Sequence, residues 1–140
     1  MIRKFAAGDL DQVMRLWLDT NLSAHAFIPR SYWEEKYAAV KVAIPQARVL
    51  VFEEQGEIKG FLGLSEQDVQ GLFVKKSCQG RGIGKALLAS ASKSRPRLRL
   101  QVYEKNSRAV GFYQREGFRL VKKQIDEGTG ELEWVMEWNR

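Results

Sequence analysis

The stretch from Val69 to Leu88, VQGLFVKKSCQGRGIGKALL, is the most informative part of the chain. An apolar strand leads into a short polar turn, and a helix begins at the glycine-spaced segment from Gln79 to Lys85. Backbone N–H groups in the first turn of a helix lack intrahelical partners, and the helix dipole adds partial positive charge there. Glycine lets a ligand approach that backbone closely. The segment therefore predicts a diphosphate site at the helix N-terminus.

Two common phosphate-binding motifs do not fit this segment. A P-loop needs a glycine where Gln79 stands and a hydroxyl where Ala86 stands. A dinucleotide fingerprint that uses Gly82 and Gly84 needs a third glycine where Leu87 stands. The pattern that fits is Q/R-x-x-G-x-G/A. It resembles the signature with which GNAT N-acetyltransferases hold the pyrophosphate of acetyl-coenzyme A (acetyl-CoA).

A second motif lies at residues 106–118, NSRAVGFYQREGF. It is similar to the GNAT motif N-x-x-A-x-x-F-Y-x-x-x-G-F at every fixed position. The same residues also suit a helix that is capped by Asn106, ended by Gly117, and buries Phe112 and Tyr113 in the core. Spacing alone does not separate these interpretations, but the match of both motifs favours the resemblance to GNAT proteins.

Composition limits the class of protein. The 140 residues suit one domain over 1–140, and 44% hydrophobic with 29% charged residues is ordinary for a globular protein. No apolar run approaches the ~20 residues of a membrane span, and no signal-peptide core follows the first methionine. These features predict a cytoplasmic protein without membrane association. A single cysteine and a single histidine predict no metal site.

The net charge of +6 raises the possibility of nucleic-acid binding. No base-reading motif accompanies the basic residues, so this class is disfavoured, except that an aminoacyl-tRNA could serve as a substrate. Basic residues beside the glycine segment, namely Arg81 and Lys85, could instead attract a polyanionic cofactor.

Hydrophobic periodicity predicts the element order β-α-α-β-β-β-α-β-α-β-β, which is also that of the GNAT fold. The predicted strands cover residues 2–5, 48–52, 58–64, 69–74, 98–103, 118–125 and 132–138. Asp9 is predicted to cap the first helix, and Ser31 with Glu34 to form a capping box at the start of the second. The expected fold is α+β, a mixed central sheet with helices on both faces. The apolar strand 132–138 could form an exposed edge that pairs two chains, so either a monomer or a homodimer is expected.

The resemblance implies a binding mode and a reaction. Acetyl-CoA would lie in a V-shaped gap between the strands 69–74 and 98–103, and Asn106 would contact its pantetheine arm or the region of the departing sulfur. An amine would attack the thioester directly, with Tyr113 as the general acid that protonates the departing thiolate. The cofactor-binding residues implied are Leu72, Phe73, Val74, Gln79, Gly80, Arg81, Gly82, Ile83, Gly84, Lys85 and Asn106.

The general base is left open by the sequence. Many GNAT proteins have an acidic residue where this chain has Gln70, which is not a useful proton acceptor. Glu66 and Asp68 lie just upstream, and His25 lies in the loop where the family forms its acceptor pocket. Because histidine has an unperturbed pKa near neutrality, His25 is a candidate base or substrate contact, and packing within the loop is the alternative.

The implied activity is transfer of acetyl from acetyl-CoA to a primary amine. The stretch at residues 23–28 looks similar to small bacterial GNAT proteins that acetylate protein lysines, so a protein lysine or N-terminus is slightly preferred over a small amine. The alternative is a CoA-binding regulatory or toxin-like protein with little turnover.

Overall fold

A computed structural model describes all residues, 1–140, and its elements follow the predicted order. The strands are β1 (Ile2–Lys4), β2 (Arg48–Glu54), β3 (Glu57–Ser65), β4 (Asp68–Val74), β5 (Arg97–Tyr103), β6 (Arg119–Ile125) and β7 (Leu132–Asn139). The helices are α1 (Leu10–Ala24), α2 (Arg30–Ala43), α3 (Ile83–Ser92) and α4 (Ser107–Arg115). None of these helices has the length and apolar composition needed to cross a membrane.

The strands form one seven-stranded sheet in the order β1-β2-β3-β4-β5-β7-β6. Only β4 and β5 are parallel, because α3 crosses over between them, and all other neighbours are antiparallel. The predicted mixed sheet is therefore confirmed. The prediction that residues 132–138 form an exposed edge is wrong: β7 pairs with β5 on one side and β6 on the other, so the edge strands are β1 and β6.

Helices cover both faces of the sheet, as predicted. Alternating side chains of β3 point to opposite faces, so Phe61 belongs to the core beneath α1 and α2, whereas Leu62 belongs to the core beneath α3 and α4. Met14 of α1 and Leu87 of α3 are fully buried at the two interfaces. The sheet is thus fixed from both sides along β3 and β4.

A gap opens at the centre of the sheet, where β4 and β5 separate. These strands pair only at Asp68 and Arg99, and the Arg99 N–H donates to the Gln67 carbonyl at 2.9 Å. Opposite β3, Gly63 faces Gly71 while the next residue of β3 faces Val69, so a bulge at residue 70 bends β4 at this point. The predicted V-shaped gap between β4 and β5 is present.

Helix α4 begins as predicted, whereas the other two predicted caps are wrong. The Asn106 side chain accepts a hydrogen bond from the Ala109 N–H at 3.3 Å. The Asp9 carboxylate instead accepts from the Ala6 N–H at 2.8 Å and pairs with Arg3, because a short 3-10 turn at residues 7–9 precedes α1.

Helix α2 begins one residue before the predicted capping box. Pro29 occupies the position before the helix, so Ser31 lies inside the first turn and no side chain caps this end. Glu34, the other half of the predicted box, pairs with Arg30 at 3.1 Å along the helix surface. Pro29, with its fixed φ of −56° and extended ψ of 140°, leads the chain into the helix at Arg30, ahead of the serine.

Candidate active site

The glycine segment forms a loop of free backbone donors ahead of α3. Gly80 and Gly82 have φ values of +84° and +85°, which side chains with a Cβ adopt only with strain. The first helical hydrogen bond runs from the Ala86 N–H to the Gly82 carbonyl at 3.0 Å. The six preceding N–H groups, at residues 80–85, have no protein partner. Such a run of unpaired donors at a helix start suits a diphosphate.

A cavity of about 650 Å³ extends from this loop to α4 and the end of α1. All of the sequence-predicted cofactor-binding residues line it except Arg81. The Arg81 guanidinium lies outside and pairs with Glu54 at 2.9 Å, which raises its pKa. The charged side chains that line the cavity are Lys76, Lys85, Lys105, Arg108, Arg115 and Glu116. Five of these six are basic, so the cavity favours a polyanion.

The backbone of β4 also offers hydrogen-bonding groups to this cavity. The Lys75 N–H donates to the Lys59 carbonyl at 2.8 Å in the ladder with β3. Along an antiparallel strand, successive residues direct their backbone N–H and carbonyl groups alternately toward the partner strand and away from it. The N–H and carbonyl groups of Leu72 and Val74 therefore point away from β3 and into the gap. Phe73, between them, directs its backbone groups to β3.

A second cavity, of about 490 Å³, lies between the separated strands β4 and β5. Its walls include aromatic residues of α1, α2 and β5, namely Trp17, Trp33 and Tyr103. The charged side chains that line it are Asp68, Arg99, Asp126 and Glu133, and His25 also reaches it. Three of these four charges are negative. This cavity therefore has the opposite charge preference from the first.

The two cavities meet at the residues that both contain. These shared residues are Asn21, His25, Leu72, Phe73, Asn106, Ala109 and Tyr113. The Tyr113 ring is buried, and burial raises the pKa of its hydroxyl. That hydroxyl has no hydrogen-bond partner in the protein. The indole nitrogen of Trp33 is the only polar side-chain atom that is both fully buried and without a partner. The Tyr113 hydroxyl is therefore not fully enclosed, and Tyr113 lines both cavities.

His25 connects the end of α1 to the start of α4. Its Nε2 accepts from the Asn106 side-chain amide at 3.1 Å, and its Nδ1–H donates to the Asn21 side-chain carbonyl at 3.0 Å. The Asn106 oxygen accepts from Ala109, so the amide nitrogen must face the histidine and the ring proton must lie on Nδ1. The ring stacks on Trp33, and burial lowers the pKa of His25 to about 4. A base role for His25 stays a prediction, and it requires that the bond to Asn106 be broken.

The neutral state of His25 predicts an acid-dependent loss of stability. The folded-state pKa of about 4 lies below the unfolded value of 6.5, so between these pH values only the unfolded chain takes up the proton. As the pH is lowered from 6.5 to about 4, the free energy of unfolding should therefore fall by about 3 kcal/mol because of His25. The His25→Gln protein should lack this part of the pH dependence. Urea unfolding of both proteins at several pH values measures the difference; parallel curves would contradict the prediction.

Comparison with known proteins agrees with this geometry. The model of the acetyltransferase (GNAT) domain matches residues 45–120, more than half of the chain. The chain is 35% identical to Peptidyl-lysine N-acetyltransferase YiaC of Escherichia coli (strain K12), over 99% of this chain and 96% of that protein. The chain belongs to the GNAT acetyltransferase family. The predicted family, fold and enzyme class are therefore confirmed: it is an acetyl-CoA-dependent N-acetyltransferase that acts on an amine.

Solved GNAT structures share its fold over the whole chain. The solution structure of apo YjaB from Escherichia coli has a TM-score of 0.88 at 27% identity, covering 99% of this chain and 96% of that one. The PaiA N-acetyltransferase from Thermoplasma acidophilum, in complex with coenzyme A, has a TM-score of 0.81 at 23% identity, covering 100% and 98%. This second likeness supports the fold alone.

Most of the cavity between β4 and β5 in this GNAT protein was not predicted from the sequence. Its missed polar residues are Asn21, Arg99, Gln101, Tyr103, Asp126 and Glu133. These residues lie on α1, β5, the β6–β7 turn and β7, so no local motif joins them. The only available signal was strand alternation: Tyr103 and Glu133 are direct cross-strand partners and lie on one face of the sheet. The Glu54 carboxylate is held by Arg81 and lies outside this cavity.

Proposed function

We propose that this enzyme acetylates the ε-amine of lysine side chains in proteins or peptides. The observation that carries the proposal is the pair of cavities with opposite charge that meet at Tyr113. The cavity of about 650 Å³ beside the glycine loop, here called the basic cavity, suits acetyl-CoA. The cavity of about 490 Å³ between β4 and β5, here called the acidic cavity, suits a cationic amine. The names of YiaC and YjaB as peptidyl-lysine N-acetyltransferases support the same acceptor class. Because acetyl-CoA is a metabolite of the cell interior, we further propose that the protein acts in the cytoplasm.

The residues of the basic cavity fit the parts of acetyl-CoA. The six free N–H groups at residues 80–85 would bind the pyrophosphate, and a Cβ at Gly82 would be strained. The backbone groups of Leu72 and Val74 would pair with the pantetheine amides as an added strand does. Lys85 and Arg108 supply positive charge near the diphosphate and the rest of the nucleotide. Arg81 contributes its backbone N–H rather than its side chain, since the guanidinium binds Glu54.

Acetyl transfer would take place where the cavities meet. The amine nitrogen attacks the thioester carbonyl carbon, and a backbone N–H of β4, from Leu72 or Val74, stabilises the negative oxygen. Tyr113 then gives its proton to the sulfur as the carbon–sulfur bond breaks. Burial keeps the Tyr113 hydroxyl protonated at neutral pH, and the same surroundings raise the pKa of the departing thiolate, so the two groups remain matched for transfer.

The test is acetyl-CoA turnover, followed as free thiol, with lysine peptides compared with polyamines, aminoglycosides and free amino acids. The proposed function predicts the largest kcat/KM for lysine peptides, and mass spectrometry should place the added acetyl group on the ε-nitrogen. A larger kcat/KM for a small amine would overturn the lysine assignment. Tight binding of acetyl-CoA without turnover on any amine would instead favour a CoA-binding regulator.

A further inference from the structure

Three carboxylates line the acidic cavity, and two of them have other partners or an exposed position. Asp126 accepts hydrogen bonds from the Tyr103 hydroxyl at 2.6 Å, from Gly128 N–H at 3.0 Å and from the Thr129 hydroxyl at 3.1 Å. Asp68 is exposed at the closed end of the gap, where β4 still pairs with β5. Asp126 thus orders the β6–β7 turn, and Asp68 marks the far end of the cavity.

Glu133 is the buried carboxylate that retains free acceptor capacity. Its side chain has one partner, the Gln124 amide, at 3.3 Å to Oε1, and it has no cationic partner. The residue is 8% exposed, and burial, followed by the nearby charge of Asp126, raises the pKa of its carboxyl. Oε2 has no partner and is not among the fully buried atoms, and Glu133 lines the cavity between β4 and β5. A buried carboxylate is costly unless something pairs with it.

We propose that Glu133 is the general base that takes a proton from the acceptor ammonium in the cavity between β4 and β5. This inference rests on the proposed acetylation of lysine. The ε-ammonium transfers one proton to Glu133, and the neutral nitrogen forms the bond to the carbonyl carbon. As the carbon–sulfur bond breaks, Tyr113 protonates the sulfur and recovers a proton from the new amide nitrogen through water. Glu133 later releases its proton to solvent.

The chemistry needs such a residue because lysine is a poor nucleophile at neutral pH. With a pKa of ~10.4, only about one ε-amine in 2,000 is neutral at pH 7. Glutamate can accept that proton within a hydrogen bond, and its raised pKa makes it a stronger base than an exposed carboxylate. The position fits as well, since Glu133 and Tyr113 line the same cavity, and Tyr113 also lines the basic one.

The surroundings of Glu133 contain the groups that set its charge. The titratable or charged groups that line the same cavity are His25 just after α1, Asp68 of β4, Arg99 and Tyr103 of β5, Tyr113 of α4, and Asp126. His25 is neutral above pH ~4, and burial raises the pKa of both tyrosines, so these three carry no charge at neutral pH. An incoming ammonium would therefore meet more negative than positive charge around Glu133.

The test compares Glu133→Gln with the wild type on one lysine peptide across pH 6–10. The variant keeps the shape and removes the base, so kcat/KM at pH 7 should fall roughly 10²–10⁴-fold. The residual kcat/KM of the variant should rise about tenfold per pH unit, in proportion to the fraction of the lysine amine that is neutral. The kcat/KM of the wild type should instead level off with rising pH once Glu133 is ionised. The thermal midpoint of Glu133→Gln should equal or exceed that of the wild type, because a buried charge has been removed.

Glu137→Gln is the matched control, since Glu137 lies on the same strand and face but outside the cavity, and its kcat/KM should stay within about threefold of the wild type. If Glu133→Gln also stays within threefold, or keeps the wild-type pH profile, the inference fails.

Glu133→Asp, which keeps the carboxylate, should retain a pH profile of kcat/KM that levels off. If the wild type itself prefers another amine, the lysine assignment fails separately, and the same variants measured with that amine still decide the role of Glu133.

Discussion

Tyr113→Phe is expected to bind acetyl-CoA as tightly as the wild type and to transfer acetyl roughly 10²–10⁴-fold more slowly. Tyr113 is the polar residue of α4 that lines both cavities, and burial keeps its hydroxyl protonated. Without it, the thiolate must leave unprotonated or wait for water. Because the hydroxyl has no protein partner, its removal leaves no buried group unpaired. Single-turnover rates and CoA binding by calorimetry measure the two effects separately.

Tyr37→Phe serves as the control for this substitution. Tyr37 lies on α2 against Trp17 and lines neither cavity, so the same loss of a hydroxyl should leave kcat unchanged within about twofold. If Tyr113→Phe keeps the wild-type turnover, Tyr113 is not the general acid. A parallel loss of acetyl-CoA affinity would make it a structural contact of the cofactor instead.

The elements of the fold could be predicted because each carries a local signal. Apolar periodicity and turn residues gave the order of all eleven helices and strands, and a left-handed glycine ends α4 at Gly117, with φ of +93°. The predicted caps at Asp9 and Ser31 failed for different reasons. Asp9 does stand directly before α1, but its carboxylate bonds back to the Ala6 N–H and to Arg3 across a 3-10 turn instead of capping the helix. Ser31 lies inside α2, because that helix already begins at Arg30, after Pro29. The neighbours of β7 could not be predicted either, because they depend on pairing between distant strands.

The two halves of the candidate site differ in the same way. The cofactor half is nearly one stretch of chain, from Leu72 to Lys85, so a motif describes it. The acceptor half is the acidic cavity, where Asn21, Tyr103 and Glu133 come from three separate elements. A local sequence pattern cannot predict that these residues meet. His25 illustrates the limit: its place near the acceptor cavity followed from the resemblance, but its bonds to Asn21 and Asn106 appear only after folding.

Gly82→Ala is expected to weaken acetyl-CoA binding by about two orders of magnitude. Alanine disfavours the φ of +85° by about 1–2 kcal/mol, so the loop should relax toward negative φ and rotate the N–H groups of residues 82 and 83. A hydrogen bond to a charged group contributes about 1.5–3 kcal/mol, and loss of two such bonds to the diphosphate, at the lower end of that range, corresponds to a factor of about 10² in Kd. Calorimetric titration with CoA measures this directly, and kcat at saturation should change little.

Gly56→Ala separates backbone strain from loss of the anion site. Gly56 has a φ of +77° in the β2–β3 turn, and, as at Gly82, no protein atom lies within 4 Å of an added Cβ. Both variants should therefore lose a similar 1–2 kcal/mol of unfolding free energy, while only Gly82→Ala loses CoA affinity. Equal losses of affinity would mean that destabilisation alone weakens binding. Unchanged affinity in Gly82→Ala would show that the loop does not hold the diphosphate, and the assignment of the basic cavity to acetyl-CoA would then lose its main structural support.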